Sequence, residues 1–199
     1  MANLSSLSGG IGKNQNIKSK ISYVLNKATT LSSRSQKTKT LKIFYSWQAT
    51  LPSKTNRGLI RDCLDKAISE INKGLSIESR VILDSDTSNT SGSPDIINTI
   101  LKKIDTSQIF IADVSLVNSS QPNANVMFEL GYAMKTLGDQ NIIMVFNESY
   151  GATKDLPFDL GFKRQMLYRC SSSEEDMASA RKSLTSKLKS AISLILNKE

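Results

Sequence analysis

Gln108-Ile-Phe-Ile-Ala-Asp-Val114 is a nearly continuous apolar run broken only by Asp113, the pattern of a central parallel strand covered on both faces. Asn141-Ile-Ile-Met-Val-Phe146 is a second such run. Between them, Asn123-Ala-Asn-Val-Met-Phe-Glu-Leu-Gly-Tyr-Ala133 reads as a loop running into a helix. Buried strand, helix and buried strand together make a βαβ unit, which requires a parallel sheet.

Working outward, residues 41–47 read as a first strand, 56–73 as a helix, 79–83 as a second strand and 84–92 as a polar loop. Ser93 is placed to cap the next helix, with Pro94 at its first position and Asp95 complementing the dipole, and the pattern carries that helix to about Ile104. Residues 165–169 form a last short strand. Residues 174–196 form a helix with Leu184, Leu188, Ile192 and Leu196 at helical spacing. The order βαβαβαβαβα predicts an α/β domain with right-handed crossovers, whose ligand crevice lies beyond the carboxyl ends of the strands where strand order switches.

The first 40 residues differ in kind. Residues 1–13 are rich in Ser and Gly and too poor in apolar side chains to pack. From residue 14 to 31, Ile17, Ile21, Val24 and Leu25 form one stripe of a short basic amphipathic helix, and residues 34–40 have linker composition. Residues 1–40 carry seven Lys and Arg and no acid, so they hold most of the net charge of +8. Such a segment is suited to nucleic acid, an acidic partner surface or a partner helix groove, with a solvated tail as the plain alternative. Two domains follow: a basic N-terminal tail over 1–40 and an α/β domain over 41–199.

Composition narrows the chemistry. The chain has no histidine, which removes Ser-His and Cys-His nucleophile pairs and His-ligated metals, and leaves carboxylates, amides and hydroxyls. Cys63 and Cys170 lack Cys-x-x-Cys spacing, so neither a disulfide nor a metal site is expected, as in a reducing cytoplasm. No apolar run nears the ~20 residues of a bilayer span and no signal peptide is evident, so a soluble cytoplasmic protein without a membrane contact is expected.

Both the phosphate-cradling Gly-x-Gly-x-x-Gly and the Walker A loop are missing. Phosphate binding would then fall to helix N-termini and Arg57. Glu129 lies one helical turn beyond Asn125, so the two share a face near the helix start, where the dipole favours a carboxylate. Val126, Met127, Phe128, Leu130, Tyr132 and Ala133 surround it, and a charge in that setting needs a partner or a pocket. Glu129 facing an anomeric carbon with Asn125 on a ribose hydroxyl would suit N-glycosidic chemistry, against a solvated helix glutamate as the alternative. Trp47 reads either as a stacking platform or as core. Arg57 at a helix start reads as an anion ligand or a surface arginine. Asp84 and Asp86 sit in a Ser/Thr-rich loop that reads as a ribose or cation site or as a turn held by its own aspartates, Asp113 faces a ligand or caps its own loop, and residues 156–160 read as a loop over the pocket.

Tyr45-Ser-Trp-Gln48, Asn56-Arg57, Asp86-Thr87, Gly92-Ser-Pro-Asp-Ile96, Ala112-Asp113-Val114, Asn123 to Ala133 and Leu156 to Leu160 together resemble bacterial TIR-like (Toll/interleukin receptor-like) nucleotide-binding proteins over roughly residues 41–170. The Asn-Val-x-x-Glu-Leu-Gly-Tyr-Ala element also resembles the helix of nucleoside deoxyribosyltransferase-like proteins, whose glutamate acts on the glycosidic bond. The resemblance implies a flavodoxin-like three-layer sandwich around a mainly parallel five-stranded sheet. It also implies an antiphage effector, active as a homo-oligomer, that cleaves NAD at the nicotinamide–ribose bond or cyclises the product. Glu129 is then the catalytic carboxylate, and Tyr45, Ser46, Trp47, Gln48, Arg57, Asp86, Asp113, Asn123, Asn125 and Asp159 are the substrate-binding candidates. NAD is the substrate, and neither a cofactor nor a metal is implied. Two alternatives remain beside it: a nucleoside or nucleotide glycosidase or deoxyribosyltransferase, which needs Asp86, Asp113 or Asp159 as proton donor, and a non-catalytic nucleotide-binding adaptor acting by assembly.

Overall fold

Each buried strand of the sheet must satisfy two cores at once, and the alternation of its side chains shows how. In the computed structural model, which describes residues 20–23, 38–76, 78–85, 95–118 and 121–197, the chain divides into Met1–Lys37 and Thr38–Glu199. Of the first unit, residues 20–23 are helical and exposed. The remainder of the helix expected over 14–31 lies outside the described residues.

The second unit runs β1 (Lys39–Ser46), α1 (Arg57–Asn72), β2 (Ser79–Asp84), α2 (Ile96–Asp105), β3 (Ile109–Asp113), β4 (Leu116–Val117), β5 (Gln121–Pro122), α3 (Ala124–Leu137), β6 (Ile142–Asn147), α4 (Phe158–Gly161), β7 (Gln165–Tyr168) and α5 (Glu174–Leu196). The main sheet has the order β2-β1-β3-β6-β7 with every pairing parallel, and β4 and β5 form a separate antiparallel pair. This is the flavodoxin-like order, with its switch between β1 and β3.

On one face of the sheet, Ile43, Tyr45, Ile109, Ile111 and Val145 pack with α1 and α5. On the other, Phe44, Phe110, Ala112, Met144 and Phe146 pack with residues of α2 and α3. Phe44 and Phe110 stack across neighbouring strands with ring centroids 5.8 Å apart. The apolar runs of β3 and β6 are continuous because successive residues enter opposite cores. Leu184, Leu188 and Ile192 of α5 are fully buried, at the spacing read from the sequence.

The structure departs from the sequence reading at particular places. β1 begins at Lys39, inside the expected linker, because Lys39 and Thr40 pair with Ser79 and Arg80 while their side chains stay exposed and give no apolar signal. The N-cap of α2 is Asp95 and not Ser93. The Asp95 carboxylate accepts from Asn98 N at 3.2 Å and from Asn98 Nδ2 at 2.7 Å, while Ser93 and Pro94 lie outside the described residues. No full helix joins β6 to β7: two 3-10 turns and the single turn α4 do so. The β4–β5 pair occupies what the sequence presented as loop.

The loop from Trp47 to Asn56 folds tightly onto the start of α1. Gly58 N and Leu59 N both donate to Ser53 O, at 2.8 and 3.3 Å. A Cβ on Gly58 would stand 2.9 Å from that same carbonyl oxygen and 2.8 Å from Ser53 Oγ. The hydroxyl can rotate away, but the carbonyl cannot. Gly58→Ala should therefore destabilise the fold by about 1–2 kcal/mol, overpacking outweighing the roughly 1 kcal/mol gain in helix propensity. Chemical denaturation of the two proteins measures it, and a Gly58→Ala protein more stable than wild type would refute the close approach.

Candidate active site at the strand ends

Beyond the carboxyl ends of β1 and β3 lies a cleft of about 280 Å³, lined by residues 44–50 of β1 and its loop, Ile100 of α2, and Asn123, Asn125 and Glu129 of α3. Strand alternation places Ser46 on the same face as Phe44, toward α3. Its hydroxyl donates to Glu129 Oε2 at 2.5 Å. Ser46 is buried and Glu129 half-buried. Burial raises the Glu129 pKa above the ordinary glutamate value of 4.5, and the Ser46 hydrogen bond opposes that rise.

Asn123 caps α3, its side chain accepting from Asn125 N at 3.0 Å and Val126 N at 3.3 Å. Asn125 is exposed and lines the cleft with Glu129, on the shared face that their spacing predicts. Gly131, beside Glu129 in sequence, is exposed, and a Cβ there would meet nothing within 4 Å. Packing does not require it.

Trp47 and Arg57 come together. The Arg57 guanidinium lies over the Trp47 ring, 4.4 Å from its centroid, and Trp47 packs against the core shared by α1 and α5. The amides of Gly58 and Leu59 in the first turn of α1 already bond Ser53 O, and Asn123 takes two amides at the start of α3. Arg57 is not itself among the residues that line the cleft and reaches it through Trp47.

Gln48 and Asp113 belong to a buried polar clamp behind the cleft. Asp113 is fully buried; its carboxylate accepts from Ser115 N at 3.1 Å, Asn56 Nδ2 at 3.2 Å and Gln48 Nε2 at 3.3 Å. Burial raises its pKa, and these donors act against the rise. Gln48 Oε1 accepts from Leu51 N at 2.9 Å. Asn147 Nδ2 extends the clamp to Asn56 Oδ1 and to the carbonyls of Thr55 and Cys170. Of the two readings left open for Asp113, the geometry selects the one in which it holds its own loop.

The remaining candidates are Tyr45, Asp159 and Asp86. Tyr45 points into the opposite core, with its hydroxyl buried and without a hydrogen-bond partner among the described residues. Burial and then Asp113 hold that phenol well above its ordinary pKa. Asp159 is exposed on α4 and does not line the cleft, since the neighbouring Leu156 anchors this segment in the α2–α3 core. Asp86 lies outside the described residues. The sequence reading missed Ile100 and Thr50 as cleft residues. Ile100 carried only the signal of an apolar helix face, and Thr50 carried none. A larger groove of about 770 Å³ runs between α1 and α5, far from the strand-end chemistry and rimmed by Asp62, Lys66, Glu70 and Arg181.

Residues 59–161 match the family described as CAP12/Pycsar effector protein, TIR domain. The chain belongs to this family. The match includes Asp113, Asn123, Asn125 and Glu129 of the TIR domain and begins after β1, so Ser46, Trp47, Gln48 and Arg57 rest on the geometry alone. This TIR domain is a bacterial TIR-like antiphage effector domain. No curated protein matches it in sequence. Similar solved structures include a 2-desoxiribosyltransferase from Leishmania mexicana, 22% identical over 54% of this chain and 65% of that one, with a TM-score of 0.40. The Flv1 flavodiiron core from Synechocystis is 13% identical over 86% of this chain and 40% of its own, with a TM-score of 0.42. An FMN-dependent NADH-azoreductase from Bacillus anthracis is 10% identical over 75% and 97%, with a TM-score of 0.41. The TIR domain thus spans 65% of the length of the Leishmania chain. No described helix is long and apolar enough to cross a membrane.

The raised Glu129 pKa has a stability consequence. A carboxyl group whose folded pKa exceeds its unfolded value stabilises the fold at low pH, and that contribution is lost as pH rises through the folded pKa. Glu129→Gln should therefore raise the thermal midpoint near pH 7 by roughly 2–4 °C, the shift of about 1 kcal/mol in a chain of this size, kept small by partial exposure. The advantage should shrink as pH approaches 4.5, the ordinary glutamate value. Melting curves across that range check it; an advantage independent of pH would contradict the assignment.

Proposed function

We propose that this TIR domain is an NAD glycohydrolase in which Glu129 stabilises the ribosyl cation as the nicotinamide–ribose bond breaks. The observation that carries the reading is a half-buried carboxylate, fixed by Ser46, in a cleft at the β1–β3 switch of a TIR-family fold. In the reaction the C–N bond breaks heterolytically, its electron pair moves to the pyridinium nitrogen, and neutral nicotinamide leaves. Water then adds to the anomeric carbon and releases a proton, giving ADP-ribose; capture by the adenine instead gives a cyclic product.

This leaving group needs no general acid, which suits a chain without histidine whose strand-end aspartate, Asp113, is sealed in a clamp. The ionised Glu129 opposes the developing positive charge in a site partly shielded from water. Asn125 on the same face holds a ribose hydroxyl, and Trp47 with Arg57 supports base and phosphate. Because burial raises the Glu129 pKa, activity rises with pH through a value above the ordinary 4.5. Assembly into homo-oligomers is the proposed activating step.

The test incubates the full chain, as purified and after deliberate crowding-induced assembly, with NAD and separately with nucleosides. Nicotinamide release is expected from wild type and should drop about a thousandfold in Glu129→Gln. If neither preparation releases nicotinamide or free base, the enzyme reading fails and a nucleotide-binding adaptor is left. Base release from nucleosides without NAD cleavage would move the assignment to a nucleoside glycosidase.

A further inference from the structure

We infer that Ser46 is a positioning residue for Glu129: its hydroxyl claims Oε2, so that Oε1 is the oxygen presented to the ribosyl carbon. The inference rests on the glycohydrolase reading and assigns the two oxygens of one carboxylate different tasks. Ser46 Oγ donates to Oε2 at 2.5 Å across 83 residues of sequence, joining the end of β1 to the second turn of α3. Glu129 has no further hydrogen bond among the described residues, and its Oε1 is not sealed from solvent within the protein. The carboxylate thus has one anchored oxygen and one left open, on a side chain that lines the cleft.

The anchor is rigid. Ser46 closes β1, pairs with Ala112 of β3 and is 2% exposed. On its own face, the residue two before it, Phe44, is stacked on Phe110. Two residues after it, Gln48 is held by Asp113 and by Leu51 N. A donor carried on a fixed strand orients its acceptor more narrowly than one on a loop, and the narrowing matters where a carboxylate must meet one carbon.

A serine suits this place chemically as well. Its hydroxyl donates to the ionised carboxylate and, by rotating, accepts from the protonated acid, so it holds the side chain in either state. As donor it favours the ionised form, the form that the reaction needs, and opposes the effect of burial. It adds no positive charge that would compete with the ribosyl cation for the carboxylate. Ser46 acts through Glu129 and makes no bond to the reacting atoms.

The experiment compares wild type, Ser46→Ala and Ser46→Thr in the assembled full chain, with kcat and KM for NAD followed across the acid limb of the pH profile. Ser46→Ala should lower kcat about ten- to a hundredfold, the loss of one hydrogen bond to a charged group, with KM little changed and the acid limb moved to higher pH. Ser46→Thr keeps the hydroxyl and should restore most of the rate and the original limb. In parallel, a thermal-stability cycle of wild type, Ser46→Ala, Glu129→Gln and the double variant should show coupling near pH 7 that disappears below the ordinary glutamate pKa. A wild type that cleaves NAD and a Ser46→Ala variant that matches it in kcat and acid limb would overturn the inference, as would additive stabilities. An inactive wild type with coupled stabilities would sink the glycohydrolase reading and leave the anchoring of Glu129 standing.

Discussion

Asp113 is a carboxylate taken wholly out of water with no salt bridge among the described residues, and the strand-end architecture is arranged around that fact. Desolvating such a group is costly unless donors converge on it. Three of them do so: the Ser115 amide, the Asn56 amide nitrogen and the Gln48 amide nitrogen. They come from the turn after β3, the residue before α1 and the loop after β1. One buried carboxyl group thereby fixes the relative positions of three segments, of which the loop after β1 lines the cleft. Asn147 at the end of β6 adds a fourth by bonding Asn56 and the Thr55 carbonyl. The rigidity around Ser46 and Trp47 is built largely behind them, in Asp113, Asn56 and Asn147, which do not line the cleft.

Strand alternation then divides the end of β1 into two functions. Tyr45 enters the α1–α5 core, while Phe44 and Ser46 turn toward α3. A one-residue register change would place a phenol where the hydroxyl now meets Glu129, and would bury the serine among leucines and isoleucines. Register is held by pairing on both sides of the strand, with β2 and with β3, and by the Phe44–Phe110 stack. The position of a single oxygen atom in the cleft therefore depends on the packing of the whole central sheet.

The sequence revealed the fold because its signals are local: apolar runs, helical stripes and turn residues lie within a few positions of one another. Glu129 and Asn125 were legible for the same reason, since a spacing of four within one helix fixes their common face. The Ser46–Glu129 contact was not legible, because its partners are separated by 83 residues and only the strand order brings them together. Tyr45 illustrates the opposite difficulty: adjacency to a site residue says little in a strand, where neighbours point to opposite faces. Asp113 at a strand end reads equally as a ligand or a scaffold, and only its three donors decide. Asp95 displaced Ser93 as the cap of α2 because both are good cap residues two positions apart, and propensity alone does not rank them.

Under the proposed glycohydrolase reading, a neutral donor for Glu129 suits the task of the carboxylate. Among the described residues, its pKa shift comes from burial, opposed by the Ser46 hydrogen bond, with no charged group beside them. An arginine in place of Ser46 would orient the side chain at least as firmly and would hold it ionised to lower pH. In the proposed reaction it would also place a positive charge close to the carbon that becomes cationic, cancelling the field that the carboxylate would supply. A serine hydroxyl orients without neutralising. Partial burial strengthens the remaining field by keeping water from screening it, at the expense of a raised pKa and some stability. On the proposed reading, the site trades folding free energy for a negative charge that a neutral donor leaves uncancelled.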